Sequence, residues 1–110
     1  MVQNREIALN CSINAGGFSG ERIAEITQLD GKARKVLAPR HYCWTREGRP
    51  LSPDEPHLGT PIDGLVAARR IEDRMSGVLI TTPDGDVFLV SQDTIMTRPS
   101  VSEITPNVPV

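Results

Sequence analysis

Hydrophobic and polar positions alternate along the first stretch of the chain. Between Glu6 and Ile13, the residues Ile7, Leu9, Cys11 and Ile13 fall on one side. Glu6, Asn10 and Ser12 fall on the other, and Ala8 suits either. A period of two is that of a half-buried strand. Asn14-Ala15-Gly16-Gly17 then reads as a loop. Glu21–Gln28 alternates less cleanly, because Ile23 and Ile26 stand three apart. A helix there would run only about two turns before Asp30-Gly31, and isolated short helices gain little. A strand is predicted, with Asp-Gly turning the chain into a second strand over Lys32–Ala38. Pro39 ends that strand, since the residue before a proline avoids helical dihedrals. His41–Thr45 reads as a short strand with Tyr42 and Trp44 on one face and His41 and Cys43 on the other.

Arg46–Pro50 is predicted to turn. Leu51–Gly64 carries Pro53, Pro56, Pro61, Gly59 and Gly64, and no regular element of length fits inside it. It is predicted to be one long proline-rich loop, of a kind that often carries function. Leu65–Glu72 admits two readings. A strand would place Leu65, Ala67, Arg69 and Ile71 on one face, and a helix would stripe Leu65, Ala68, Ile71 and Met75. The strand is the preferred reading. The clearest signal is a β-hairpin: Val78–Thr82 leads out, Pro83-Asp84-Gly85-Asp86 turns, and Val87–Val90 returns. Ser91–Met96 follows as a single helical turn and a last edge strand. From Arg98 onward three prolines leave little to pack, so residues 1–97 are expected to form one domain and 98–110 a loose tail.

This inventory describes an all-β or mainly β domain of about five to seven short strands. A small closed or nearly closed barrel disposes of most exposed strand edges. The closing order of hairpin, helical turn and short strand over residues 65–97 resembles that of SH3-like barrels. The resemblance is one of pattern, and no functional residue is carried over from it.

Composition narrows the chemistry. With 110 residues the chain is one small domain. Its aromatics are Phe18, Tyr42, Trp44 and Phe88, so the core must rest on aliphatic side chains. A net charge of -2 argues against a globally basic nucleic-acid binder. The charge is uneven, however: residues 1–50 hold eight basic and five acidic side chains, and residues 51–110 hold four and nine. No apolar run approaches the roughly 18 residues of a spanning helix, and none near Met1 has signal-peptide length. A cytoplasmic location without membrane partners is expected. Two cysteines do not make a disulfide framework, and Cys11 and Cys43 are read as separate thiols.

Three functional readings follow. The first is a non-catalytic binding or assembly module acting through protein–protein contacts, as a homo-oligomer or with a small protein partner. Its surface would be Arg40, Tyr42, Trp44 and Arg46, since tryptophan, tyrosine and arginine anchor interfaces. The halves of opposite charge could also pair across a two-fold axis. The second is single-stranded nucleic-acid binding by the basic segment 32–49, with Lys32, Arg34 and Lys35 neutralising phosphates and Trp44 stacking on a base. The third is a small enzyme with its site at a subunit interface, using Asp54, Glu55 and His57 of the long loop. No catalytic residue, metal or cofactor is assigned. Cys11, His41, Cys43 and His57 match no standard ligand spacing. A Cys43–His41 nucleophile pair lacks a third group to orient the base. The glycine-rich stretch Asn14–Gly20 lacks the lysine of a phosphate-binding loop, although Phe18 within it could form a contact surface.

Overall fold

A computed structural model describes residues 5–99. Among the described residues there are eight strands, two 3-10 turns and no α-helix. The strands are β1 (Glu6–Ala15), β2 (Glu21–Thr27), β3 (Ala33–Pro39), β4 (Cys43–Thr45), β5 (Ile62–Arg74), β6 (Gly77–Thr81), β7 (Val87–Val90) and β8 (Ile95–Thr97). The 3-10 turns are Arg40–Tyr42 and Gln92–Thr94. The mainly β expectation holds, with more strands than the five to seven predicted. The segment 98–110 expected as a tail is described only at its first two residues, and Ser100 onward lies outside the described residues.

All pairings are antiparallel, and the sheet runs β3-β2-β1-β5-β6-β7. The two central strands are long enough to take two partners along one edge. On one side β5 pairs Ile62–Arg69 with β1. On its other side Gly64–Val66 meets β4, and Arg69–Arg74 meets β6. Likewise β1 pairs β2 over Ser12–Ala15 and β8 over Ile7–Leu9. A bulge lies between Arg70 and Glu72, where β5 changes register against β6.

Several boundaries differ from the sequence reading. Asn14 and Ala15 belong to β1, because they pair with Ile23 and Arg22 of β2. His41 and Tyr42 lie in a 3-10 turn closed by the Cys43 N–H on the Arg40 carbonyl, so the strand expected from His41 starts at Cys43. The segment left open between helix and strand is β5, and it starts at Ile62, inside the stretch expected as loop. The two Asp-Gly turns formed as expected, with Gly31 and Gly85 both at φ 88°, a conformation glycine adopts without steric cost.

Alternation sorts the side chains to two faces. Ile7, Leu9, Cys11 and Ile13 of β1 point into the main core with Ala24 and Ile26, Val36 and Ala38, Val66 and Ala68, Val78 and Ile80, and Phe88 and Val90. A second, smaller cluster of Ala8, Trp44, Leu65 and Ala67 occupies the opposite face. Because β5 is buried on both faces, it reads as the unbroken run Leu65-Val66-Ala67-Ala68. Gly64 marks a point of close approach within the sheet. A Cβ there would lie 2.5 Å from both Ile13 Cδ1 and the Trp44 carbonyl oxygen.

The sheet curls into an open half-barrel. Its end strands β3 and β7 face each other across a seam that side chains bridge. Arg34 donates Nε and Nη2 to the two carboxylate oxygens of Asp86, each at 2.7 Å, and its guanidinium lies 5.0 Å from the Phe88 ring centroid. Asp84 accepts the Leu37 backbone N–H at 3.0 Å. One backbone bond, from Leu29 N–H to the Leu89 carbonyl at 2.8 Å, joins the end of β2 to β7. The free edge of β3 is thus covered in part by the β6–β7 turn, as exposed edges require.

Candidate functional site: a cleft between two loops

The site starts from the parity of β2. Arg22, Ala24 and Ile26 stand at alternate positions and share the inner face. Arg22 closes that face at one end and is only 3% exposed. A buried cation must find acceptors or remain uncharged, and an arginine cannot deprotonate. Arg22 meets this demand with backbone carbonyls. Nη1 donates to Ser19 and Glu21, and Nε to Glu55, each at 2.7 Å. Nη2 donates to Pro53 at 2.9 Å. One side chain therefore ties the glycine-rich loop to the proline-rich loop. None of its acceptors is a carboxylate.

The proline-rich loop has a second anchor. Arg49 donates Nη1 and Nη2 to the Glu55 carboxylate at 3.1 and 2.9 Å, and the Ser52 N–H and hydroxyl both reach it at 3.0 Å. The Arg49 guanidinium, helped by these Ser52 donors, lowers the Glu55 pKa from 4.5 to about 2. A depressed carboxylate stabilises the fold fully above its unfolded value, and the contribution is lost as pH falls toward the folded value. Between pH 4.5 and about 2 the wild-type urea midpoint should therefore fall more steeply than that of Glu55→Gln. Parallel slopes in the two proteins would show that this pair does not stabilise the loop.

Between the two anchored loops lies a cleft of about 270 Å³, lined by Gly17, Phe18, Arg22, Asp54, His57 and Leu58 among others. Phe18 and Leu58 are 78% and 87% exposed, so two large apolar side chains stand in water on its walls. The sequence groups Asp54 and His57 with Glu55 as a loop site and sets Phe18 apart as a contact residue, and the fold brings Phe18, Asp54 and His57 together here. Glu55 stands behind the cleft, facing Arg49. Arg22 and Leu58 escaped the sequence reading.

The other expected site residues lie elsewhere. Trp44 is buried in the smaller cluster and offers no stacking platform. Arg40 donates to the Leu51 carbonyl at 2.7 Å, which fixes the start of the long loop. Tyr42 is exposed and packs against His41, ring centroids 4.6 Å apart. Arg46 is exposed and approaches Asp63 at 3.9 Å. Lys32 and Lys35 are exposed on the β2–β3 hairpin. The uneven charge of the two halves is met within one molecule: Arg34, Arg46 and Arg49 pair with Asp86, Asp63 and Glu55.

The thiols are both free and buried. Burial pushes the Cys43 pKa up to about 12 against the opposing influence of Arg22, and raises that of Cys11 further. Both stay neutral thiols at physiological pH, a poor state for a nucleophile or a metal ligand. Among the described residues no group of His, Cys, Asp and Glu is placed to hold a metal ion. Nor, among them, is any helix long and apolar enough to cross a membrane. Comparison of the chain with protein-family models, with curated proteins and with solved structures finds no match.

Proposed function

We propose that this protein is a non-catalytic binding or assembly module that acts through protein–protein contacts, with the walls of the 15–22/53–58 cleft as its contact surface. The observation that carries the reading is the pair Phe18 and Leu58, both largely exposed on loops that Arg22 holds together. Exposed apolar side chains on ordered loops cost little further entropy on association. The surface thus shifts from Arg40, Tyr42, Trp44 and Arg46 to the two loops, with Tyr42 and Arg46 left exposed. On the fold, the order of hairpin, 3-10 turn and short strand, with β8 returning to β1, supports an SH3-like reading. The two unpaired thiols fit a reducing, cytoplasmic setting.

Light scattering across a concentration series tests the assembly form of this reading. The wild type is expected to form a concentration-dependent dimer. Phe18→Ser/Leu58→Ser is expected to remain at 12.0 kDa with an unchanged urea midpoint. A wild type that stays monomeric throughout would overturn the assembly form of the proposal, and a double variant that associates like it would overturn the assigned surface.

A further inference from the structure

We infer that copies of this chain meet head to tail: the tip of the β5–β6 hairpin of one copy, led by Met75, seats in the Phe18–Leu58 cleft of the next. This rests on the reading of the cleft as the contact surface, and it names a second copy as the occupant. The topology puts the two parts at opposite ends of the sheet. β1 and β5 pair from Ile13 and Ile62 at one end to Glu6 and Arg69 at the other. The loops that wall the cleft leave β1 at Ala15 and lead into β5 at Ile62, beside the first of these pairs. β5 then runs on past the last pair to Arg74, where Met75-Ser76 turns the chain into β6. At about 3.3 Å per residue, the two ends of β5 stand roughly 40 Å apart along the strand.

Shape makes one end a hole and the other a knob. Residues 71–76 are all exposed, so the hairpin stands clear of the core, and Met75 at its tip is fully exposed. Met75, Leu58 and Phe18 are the most exposed large apolar side chains among the described residues. Two clefts set face to face leave both unfilled, and unfilled space forfeits the contacts that reward association. Methionine is unbranched and adapts to irregular gaps. A cavity of about 150 Å³ holds a benzene molecule, so the cleft of about 270 Å³ admits a thioether side chain. Charge agrees with shape. Asp54 lines the cleft, and the Glu21 carboxylate stands 3.8 Å from where a Gly17 side chain would begin. Neither forms a salt bridge among the described residues. Arg22 in the lining is buried beneath four carbonyls. The hairpin carries Arg69, Arg70 and Arg74 against Glu72 and Asp73, with Arg74 next to Met75. A cleft facing its own copy would bring like carboxylates together, whereas the hairpin brings a basic surplus. Such a contact is heterologous, so a dimer is the first product and keeps one free cleft and one free tip.

Two complementary variants test the contact by light scattering. Phe18→Ser/Leu58→Ser removes the hole and keeps the tip, and Arg74→Glu/Met75→Ser removes the tip and keeps the hole. Each alone is expected to stay at 12.0 kDa, with the urea midpoint of the wild type. Mixed in equal amounts, they are expected to form a complex of two chains and nothing larger, because each pair holds one working tip and one working cleft. A tip variant that associates like the wild type would overturn this inference and leave the cleft reading standing, since clefts would then be meeting each other. A mixture that stays monomeric where the wild type associates would overturn it too. A wild type that stays monomeric throughout overturns both this inference and the assembly form it rests on. Single changes at the tip decide the matter even if the double variant does not fold. Met75→Leu keeps an apolar tip and should associate within about threefold of the wild type, whereas Met75→Glu should weaken association about tenfold or more, as loss of a buried anchor does.

Discussion

Replacing Arg22 with methionine is expected to destabilise the fold by about 3 kcal/mol, because it removes charge-assisted bonds each worth roughly 1.5–3 kcal/mol in other proteins. Methionine reaches a similar distance along the inner face, so the aliphatic contacts are largely kept. What goes is the donor set shared by Ser19, Glu21, Pro53 and Glu55. Two terms reduce the sum. The loop carbonyls lie close enough to the surface for water to replace some of the lost donors, and removing the buried cation recovers its desolvation cost. With a urea slope of about 1–3 kcal/mol/M, the midpoint should fall by roughly 1–3 M at unchanged slope. Hydrogen exchange should rise at Ser52 and Glu55 more than at Ile80, since the proline-rich loop is released while the core persists. Arg22→Lys should recover less than half of the loss, because an ammonium lacks the planar fork that reaches both loops. A midpoint shift below about 0.3 M would mean that the loops hold each other without Arg22.

The same residue shows where the sequence was legible and where it was not. Local signals carried far. The alternation of β1, the Asp-Gly turns and the β6–β7 hairpin each depend on neighbours a few residues apart. Arg22-x-Ala24-x-Ile26 and Arg34-x-Val36-x-Ala38 also alternate, and each is headed by an arginine on the inward face. A charge at an inward position reads as an outward one unless parity is followed strictly, and the three-residue spacing of Ile23 and Ile26 masks that parity. Burial of β5 on both faces erased the alternation that would have separated strand from helix over Leu65–Ala68. Other information was never local. Arg34 meets the Asp86 carboxylate across 52 positions and Arg22 the Glu55 carbonyl across 33, so only the folded sheet shows that Arg34, Arg46 and Arg49 pair with acids of the other half and that Arg22 ties two loops together.

Trp44→Ala should be the most destabilising single change among the residues first considered for a surface role, at roughly 3–5 kcal/mol. Trp44 pairs with Leu65 across β4 and β5 and packs with Ala8 and Ala67, small residues that cannot close over the space an indole leaves. At roughly 4–8 °C per kcal/mol for a domain of this size, the midpoint of thermal unfolding should drop by about 12–40 °C. Trp44→Phe keeps an aromatic ring in the cluster and should cost less than half as much. Trp44 is the sole tryptophan, so the wild type offers an independent check: its fluorescence should be blue-shifted and nearly insensitive to acrylamide, and should redshift on unfolding. An alanine variant within about 1 kcal/mol of wild type, together with ready quenching, would place the ring at the surface. The segment from Arg40 to Arg46 would then regain its claim as the contact face. The expected result instead leaves Trp44 holding β4 against β5, at the start of the long loop that Arg40, Arg49 and Arg22 bring to the cleft.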